Sequence, residues 1–218
     1  MKKISRPRIL IADDHALIAE ALHRLLEAQF EVVGIVHDGR RLVQIAQDLR
    51  PDVILVDIGM PLLNGMQAAQ RIKRSLPAVK LVYVTINQDP ELVSEAFRRG
   101  ASGYLPKTSA GSELVVAIQT VLRGEIYVSP LLAKDEEKTF SAAPPVFTEQ
   151  PARRVLTDRQ LEVLQLLAEG KSMKEVAAVL NLATRTVAFH KYRLMQNLHL
   201  KNDAEVVQYA LRQRIIFE

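Results

Sequence analysis

The sequence predicts an α/β domain, a five-stranded doubly wound parallel sheet, followed by a small all-α domain of four helices. Three observations predict this. Five short apolar runs alternate with helix-period segments between Arg8 and Val121, and strands spaced by helices form a parallel sheet covered on both faces. The alternation fails from Gly124, where a charged stretch, Lys134–Lys138, leads into a Pro-rich one, Ser141–Pro145, as in an interdomain linker. Beyond it, helix-opening signals recur from Thr157 to Glu205.

Taken in order, Arg8–Ala12 is a short apolar strand that runs straight into Asp13-Asp14-His15. Leu17, Ile18, Ala21, Leu22, Leu25 and Leu26 then recur at helical spacing. Glu31–Val36 is a second strand, and Leu42, Val43, Ile45, Ala46 and Leu49 mark the next helix. The third strand, Val53–Val56, is apolar without alternation, as expected of a strand buried on both faces, and it ends in the carboxylate Asp57. The loop from Gly59 to Gly65 opens a helix that runs to Leu76. Lys80–Thr85 is a fourth strand; Asp89-Pro90 opens a helix that Gly100 closes in the left-handed position. Gly103-Tyr104-Leu105 is the fifth strand, ending at Pro106-Lys107, and Ser109 or Ser112 caps a last helix through Val121.

In the last third, Thr157-Asp-Arg-Gln160, Ser172-Met-Lys-Glu175 and Asn202-Asp-Ala-Glu205 have the pattern of capping boxes. A third helix, from Thr184 to about Leu198, lies between the second and third of these. A helix, a short turn and a longer helix make the shape of a helix-turn-helix reader of DNA, although small helical bundles share it. The formal net charge of +4 is confined to this part: residues 1–150 carry 18 Lys+Arg and 18 Asp+Glu, residues 151–218 carry 11 and 7. The excess points to a polyanion partner.

The chain has no cysteine, which excludes a disulfide scaffold, a Cys-based zinc site and a thiol nucleophile. Its basic start leads to an apolar run stopped by Asp13-Asp14, too short for a signal peptide, and no apolar run is long enough to span a membrane. The expectation is a soluble, cytoplasmic protein with no membrane partner.

In open α/β sheets ligands bind outside the carboxyl ends of the strands. Asp13 and Asp14 follow the first strand, Asp57 the third, Lys107 the fifth, and Thr85 ends the fourth, so these groups share one edge. Each alone has an ordinary role: a helix cap, a strand residue, a surface charge. Together they make a site. Three carboxylates in one pocket repel, and a hard divalent cation with oxygen ligands relieves them. A carboxylate beside that cation can attack a phosphoryl group, with Lys107 and the Thr85 hydroxyl bonding the phosphoryl oxygens.

Residues 8–123 resemble a response-regulator receiver domain. The resemblance lies in Asp13-Asp14, in Asp57 with Met60-Pro61 and Gly65 after it, in Thr85, and in Tyr104 three residues before Lys107. It implies a flavodoxin-like strand order of two-one-three-four-five. It also implies Asp57 as phospho-acceptor and Mg2+ ligand, with Asp14 a direct ligand, Asp13 a ligand through water, and the backbone carbonyl of Gly59 completing the set. Thr85 and Tyr104 become the switch pair, and Lys107 holds the phosphoryl group. Two positions depart from the family pattern: Gly59 brings no side chain, and Ile86 is bulky beside Thr85, narrowing access to Asp57. Asn87 is then the side chain placed to hold a hydrolytic water.

Residues 155–216 resemble the LuxR-type helix-turn-helix of the NarL/FixJ subfamily, through Leu156-Thr157, Glu162-Val163-Leu164, Ala168-Glu169-Gly170, Lys174–Ala177 and Thr186-Val187-x-x-His190. On the third helix Val187, His190, Leu194 and Leu198 form the packing face, and Arg185, Ala188, Phe189, Tyr192 and Gln196 the opposite one. That second face enters the major groove, with Thr184, Lys171, Lys174, Lys191 and Arg193 as further DNA contacts. The fourth helix resembles the family's dimerisation element, with Val207 and Ala210 at or near its contact face; packing within the domain is the alternative.

The expected organisation is a receiver over residues 1–123, a linker over 124–153 and a DNA-binding domain over 154–218. The expected function is that of a transcriptional regulator and not an enzyme. A sensor histidine kinase phosphorylates Asp57, which controls homodimerisation and binding to promoter DNA at an inverted repeat. A receiver that works without phosphorylation is one rival. A phosphatase with Asp57 as covalent nucleophile is another, but phosphatases that resemble dehalogenases need a second Asp where this chain has Gly59.

Overall fold

The structure, a computed structural model, describes residues 6–109, 111–133 and 156–217. The chain divides into two compact units.

The first unit runs β1 (Arg8–Ala12), α1 (Ala16–Leu26), β2 (Glu31–Val36), α2 (Gly39–Leu49), β3 (Val53–Val56), α3 (Gly65–Ser75), β4 (Lys80–Thr85), α4 (Pro90–Arg98), β5 (Gly103–Pro106) and α5 (Gly111–Leu122). A short β6 (Tyr127–Val128) and α6 (Pro130–Ala133) follow. The strands are parallel, in the order β2-β1-β3-β4-β5-β6. The sheet therefore has six strands where the sequence predicts five. Two residues are too few for any periodicity to register, and β6 exists by pairing with the edge of β5, Gly103 opposite Tyr127 and Tyr104 opposite Val128. It falls within the stretch read as linker; Lys134–Lys138 and Ser141–Pro145 lie outside the described residues.

Both sheet faces are covered, which is why the strands alternate so little in polarity. Ile9, Ile11, Val53, Leu55, Val82 and Val84 pack with Ala19 and Leu26 of α1 and Leu114, Ala117, Ile118 and Val121 of α5. The alternate residues Leu10, Ile54, Tyr83 and Tyr104 are equally buried, on the face that α2 and α4 cover. Helix α1 is apolar on more than one side, and only part of its pattern packs: Leu26 is buried, while Leu17 is 88% exposed. At α4, Pro90 takes the first turn, the Asp89 side chain accepts the Glu91 N–H, and Gly100 closes with φ 91°.

The second unit packs α7 (Asp158–Ala168), α8 (Met173–Leu180), α9 (Thr184–Asn197) and α10 (Asp203–Arg212) around Val163, Leu164, Val176, Leu180, Val187, Leu194 and Val206. Thr157 with Gln160 and Ser172 with Glu175 form complete capping boxes. The third is half formed. Asn202 Oδ1 accepts the Glu205 N–H at 2.9 Å, but the Glu205 carboxylate accepts from the backbone N–H of Lys201 rather than Asn202. Asn181, at φ 53°, turns the chain between α8 and α9 into a short left-handed corner. Ala210 is fully buried and so packs inside the unit, while Val207 is half-buried.

Candidate functional site

Strand register brings the acidic residues together. Ala12 lies opposite Val56, so β1 and β3 end side by side, and the Asp57 N–H donates to the Ala12 carbonyl at 2.8 Å. Thr85 lies opposite Pro106, and the Lys107 N–H donates to the Thr85 carbonyl at 2.8 Å. Asp13 and Asp57 therefore leave the adjacent strands β1 and β3, and Lys107 leaves β5, beyond β4, at the same edge of the sheet. Lys107 Nζ is 2.8 Å from Asp57 Oδ2 and 2.8 Å from Asp13 Oδ2, and all three side chains are 5% exposed or less.

Burial raises the pKa of the Asp13 carboxyl above its usual value, although bonds from Lys107 and the His15 N–H work the other way. Burial alone would lower the Lys107 pKa, but its hydrogen bonds to Asp13 and Asp57 outweigh that and raise it. The ammonium is thus held charged between two carboxylates.

Ligand atoms of Asp13, Asp14, His15 and Asp57 lie within 4.8 Å of one another. Three carboxylates against one ammonium leave an excess negative charge, and the oxygens are hard donors; both suit a hard dication. Gly59 stands half-buried in the loop after β3. Gly65, which opens α3, cannot be another residue without movement, because a Cβ there would run into the carbonyl oxygen of Asp57.

Thr85 is buried at the same strand edge, and its Oγ1 accepts the Asn87 N–H at 3.3 Å. The buried Tyr104 donates its hydroxyl to the Asn87 carbonyl at 2.9 Å. Desolvation holds the Tyr104 pKa well above the ordinary phenol value, so it serves as a neutral donor. Both hydroxyls thus engage the backbone of one loop residue. The Asn87 side-chain oxygen accepts the Asp89 N–H at 2.9 Å and shapes the entry to α4. Ile86, expected to narrow the pocket, stands 66% exposed.

On α9, Val187 and Leu194 are buried, whereas Phe189 is 56% and Tyr192 63% exposed. Thr184, Arg185 and Arg193 are also exposed, Ala188 is half-buried, and the Arg193 guanidinium lies 5.7 Å from the Phe189 ring centroid. Lys174 is exposed on α8, and Lys171 lies 3.7 Å from Glu169. Lys191 is placed differently. Its ammonium is 2.6 Å from Asp203 Oδ1, and its side chain is only 11% exposed.

Comparison with known proteins decides the family. The family of response regulator receiver domains matches residues 9–119, and the luxR family of bacterial regulatory proteins matches residues 154–210. The chain is a response regulator. Oxygen regulatory protein NreC of Staphylococcus carnosus is 34% identical to it over 214 residues, 96% of this chain and 99% of NreC. A LuxR-family two-component response regulator from Aurantimonas sp. SI85-9A1 superposes with a TM-score of 0.57 at 32% identity, over 59% of this chain and 94% of that one. RcsB, solved as a complex with DNA, superposes with a TM-score of 0.56 at 25% identity, over 94% of this chain and 98% of its own.

This response regulator is accordingly a phosphorylation-regulated, DNA-binding transcription regulator and not an enzyme. Sequence reasoning named the acidic cluster and Lys107 but not two histidines beside them. His15 Nδ1 lies 2.8 Å from Asp14 Oδ1, and His37 Nδ1 lies 2.8 Å from the Asp13 carbonyl oxygen. His15 follows the acid pair directly, which was a usable signal; His37, at the end of β2, needed the strand order.

The raised Asp13 pKa carries a stability prediction. An ionised carboxylate with a raised folded-state pKa opposes folding at neutral pH, and Lys107 keeps Asp57 as partner when Asp13 is neutral. Asp13→Asn should therefore raise the thermal midpoint in cation-free buffer. Differential scanning calorimetry checks it; a lowered midpoint would show that the pair with Lys107 outweighs the cost of burial.

Proposed function

We propose that Asp57 accepts a phosphoryl group from a sensor histidine kinase and that this controls homodimerisation and binding to promoter DNA at an inverted repeat, in the cytoplasm. The supporting observation is the buried Lys107 ammonium, 2.8 Å from both Asp13 and Asp57. In this reading residues 1–123 are the receiver, with β6 extending its sheet, residues 124–153 contain the linker, and residues 154–218 read DNA. Mg2+ would be held by Asp14 and Asp57, by Asp13 through water, and by the Gly59 carbonyl. When bound, it offsets the charge of the carboxylates and of the incoming phosphoryl oxygens.

An Asp57 carboxylate oxygen attacks phosphorus in line with the donor. The new O–P bond forms as the P–N bond of the kinase phosphohistidine breaks, and the electron pair leaves with the imidazole. Lys107 needs little movement to transfer a hydrogen bond from the carboxylates to the phosphoryl oxygens. The Thr85 hydroxyl, now accepting from Asn87, turns to donate to the same group. Its loop carries the carbonyl that holds Tyr104, so a displaced Thr85 disturbs that bond too. A charge added at the pocket thereby biases the β4–α4 loop between two arrangements.

Incubation with a small phosphodonor and Mg2+ should place one phosphoryl group on Asp57. Asp57→Ala should abolish it, and Asp14→Ala should nearly do so by emptying the cation site. Peptide mass mapping reads the outcome; label on the Asp57→Ala protein, or full labelling in the presence of chelator, would remove the assignment.

On DNA, the exposed face of α9 supplies Thr184, Arg185, Ala188, Phe189, Tyr192 and Arg193, with Lys171 and Lys174 as phosphate contacts beside it. Large exposed apolar groups mark a contact surface. Phe189 would meet thymine methyls, and Tyr192 would offer its hydroxyl to a base edge or phosphate. Phe189→Ala should lower discrimination between specific and scrambled duplexes by about 1–3 kcal/mol with the salt dependence unchanged. Lys174→Ala should weaken both duplexes alike and flatten the salt dependence. Equal weakening of both duplexes by Phe189→Ala would show that it does not read bases.

A further inference from the structure

Lys191 is the cation of α9 that does not stand in solvent. Both oxygens of Asp203, at the opening of α10, hold its ammonium, Oδ1 at 2.6 Å and Oδ2 at 2.8 Å. The lysine side chain is 11% exposed and the aspartate 73%. The pair does not serve as the α10 cap, which Asn202 supplies through its bond to the Glu205 N–H. Four residues after the buried Val187 and three before the buried Leu194, Lys191 stands at the edge of the packed face, and its ammonium reaches out to the exposed Asp203. The pair's geometry is that of an ammonium paired with an oxyanion on two adjoining helices.

We propose that Asp203 competes with DNA phosphate for Lys191, so that one positive charge of the recognition helix is withheld from sequence-independent binding. A carboxylate and a phosphate oxygen ask the same thing of an ammonium, a short charge-assisted hydrogen bond, and Lys191 is occupied by the first. Sequence-independent affinity comes from neutralised phosphates, so one fewer available cation lowers it while leaving base contacts by other residues untouched. Because Asp203 belongs to the opening turn of α10, any rearrangement of that turn changes the charge that α9 offers to DNA. Asp203 is thus a positioning residue acting through Lys191. The inference rests on the reading that α9 docks on DNA.

The test uses the full chain and a random-sequence DNA duplex, with fluorescence anisotropy over a series of KCl concentrations. Asp203→Asn should steepen the slope of log affinity against log salt by about 0.9, the value for one added phosphate contact, and tighten binding several-fold at low salt. Asp203→Glu should behave as the unaltered protein. Lys191→Gln alone should leave the slope unchanged, and Asp203→Asn added to it should do nothing further. An unchanged slope for Asp203→Asn overturns the proposal, and so do two results with Lys191. One is a flatter slope for Lys191→Gln alone, which means that Lys191 already reaches phosphate. The other is the same gain from Asp203→Asn with and without Lys191, which means simple charge repulsion. Arg185→Gln separates the two levels: if the exposed Arg185 leaves the salt slope unchanged, the docking of α9 itself fails and the proposal falls with it. Should Asp203→Asn lower the thermal midpoint sharply, Asp203→Ser is measured in its place.

Discussion

The ammonium of Lys107 between the carboxylates of Asp13 and Asp57 is the interaction on which the acidic pocket depends. Each carboxylate is nearly fully buried, and two such groups close together without a counter-charge would drive one to protonate. Lys107 partly offsets the burial that raises the Asp13 pKa, and it keeps Asp57 oriented. It leaves charge unbalanced as well, because Asp14 adds another carboxylate within 4.8 Å. The pocket is therefore stable enough to fold and still receptive to a cation.

The sheet makes these contacts possible by its register. Asp13, Asp57 and Lys107 each follow directly after a strand, and Thr85 ends one. Parallel pairing sets Ala12 beside Val56 and Thr85 beside Pro106, so the polar residues converge while the strands themselves stay apolar. The glycine at position 65 belongs to the same construction. It lets the start of α3 pass against the Asp57 carbonyl, where no side chain fits.

What could be read from the sequence followed the strength of the local pattern. Buried strands and their terminal carboxylates were legible because an unbroken apolar run that stops at a charge fits little besides a strand leaving a covered sheet. Thr157-x-x-Gln160 and Ser172-x-x-Glu175 gave complete caps, since both halves of each lie within one turn. Asn202-x-x-Glu205 gave half a cap, because the Glu205 carboxylate reaches the Lys201 N–H instead. Strand β6 escaped because two residues hold no period. The apolar residues of α1 marked a helix but not its packed side, because that helix is apolar beyond the stripe that packs. Lys191 counted as a surface cation in the sequence; its capture by Asp203 joins two helices and has no local signature. The bond from the Asp89 N–H to Asn87 Oδ1 likewise depends on the turn into α4 and has no signature in the sequence.

If Asp57 is the switch, charge added there alters DNA binding by the same chain. The decisive measurement is the anisotropy of a labelled promoter duplex with the unaltered protein and with Asp57→Asn, each before and after treatment with a small phosphodonor and Mg2+. Treatment should change the affinity of the unaltered protein and leave that of Asp57→Asn where it was. An affinity that does not respond in the phosphorylated protein, or that responds equally in Asp57→Asn, would contradict the switch.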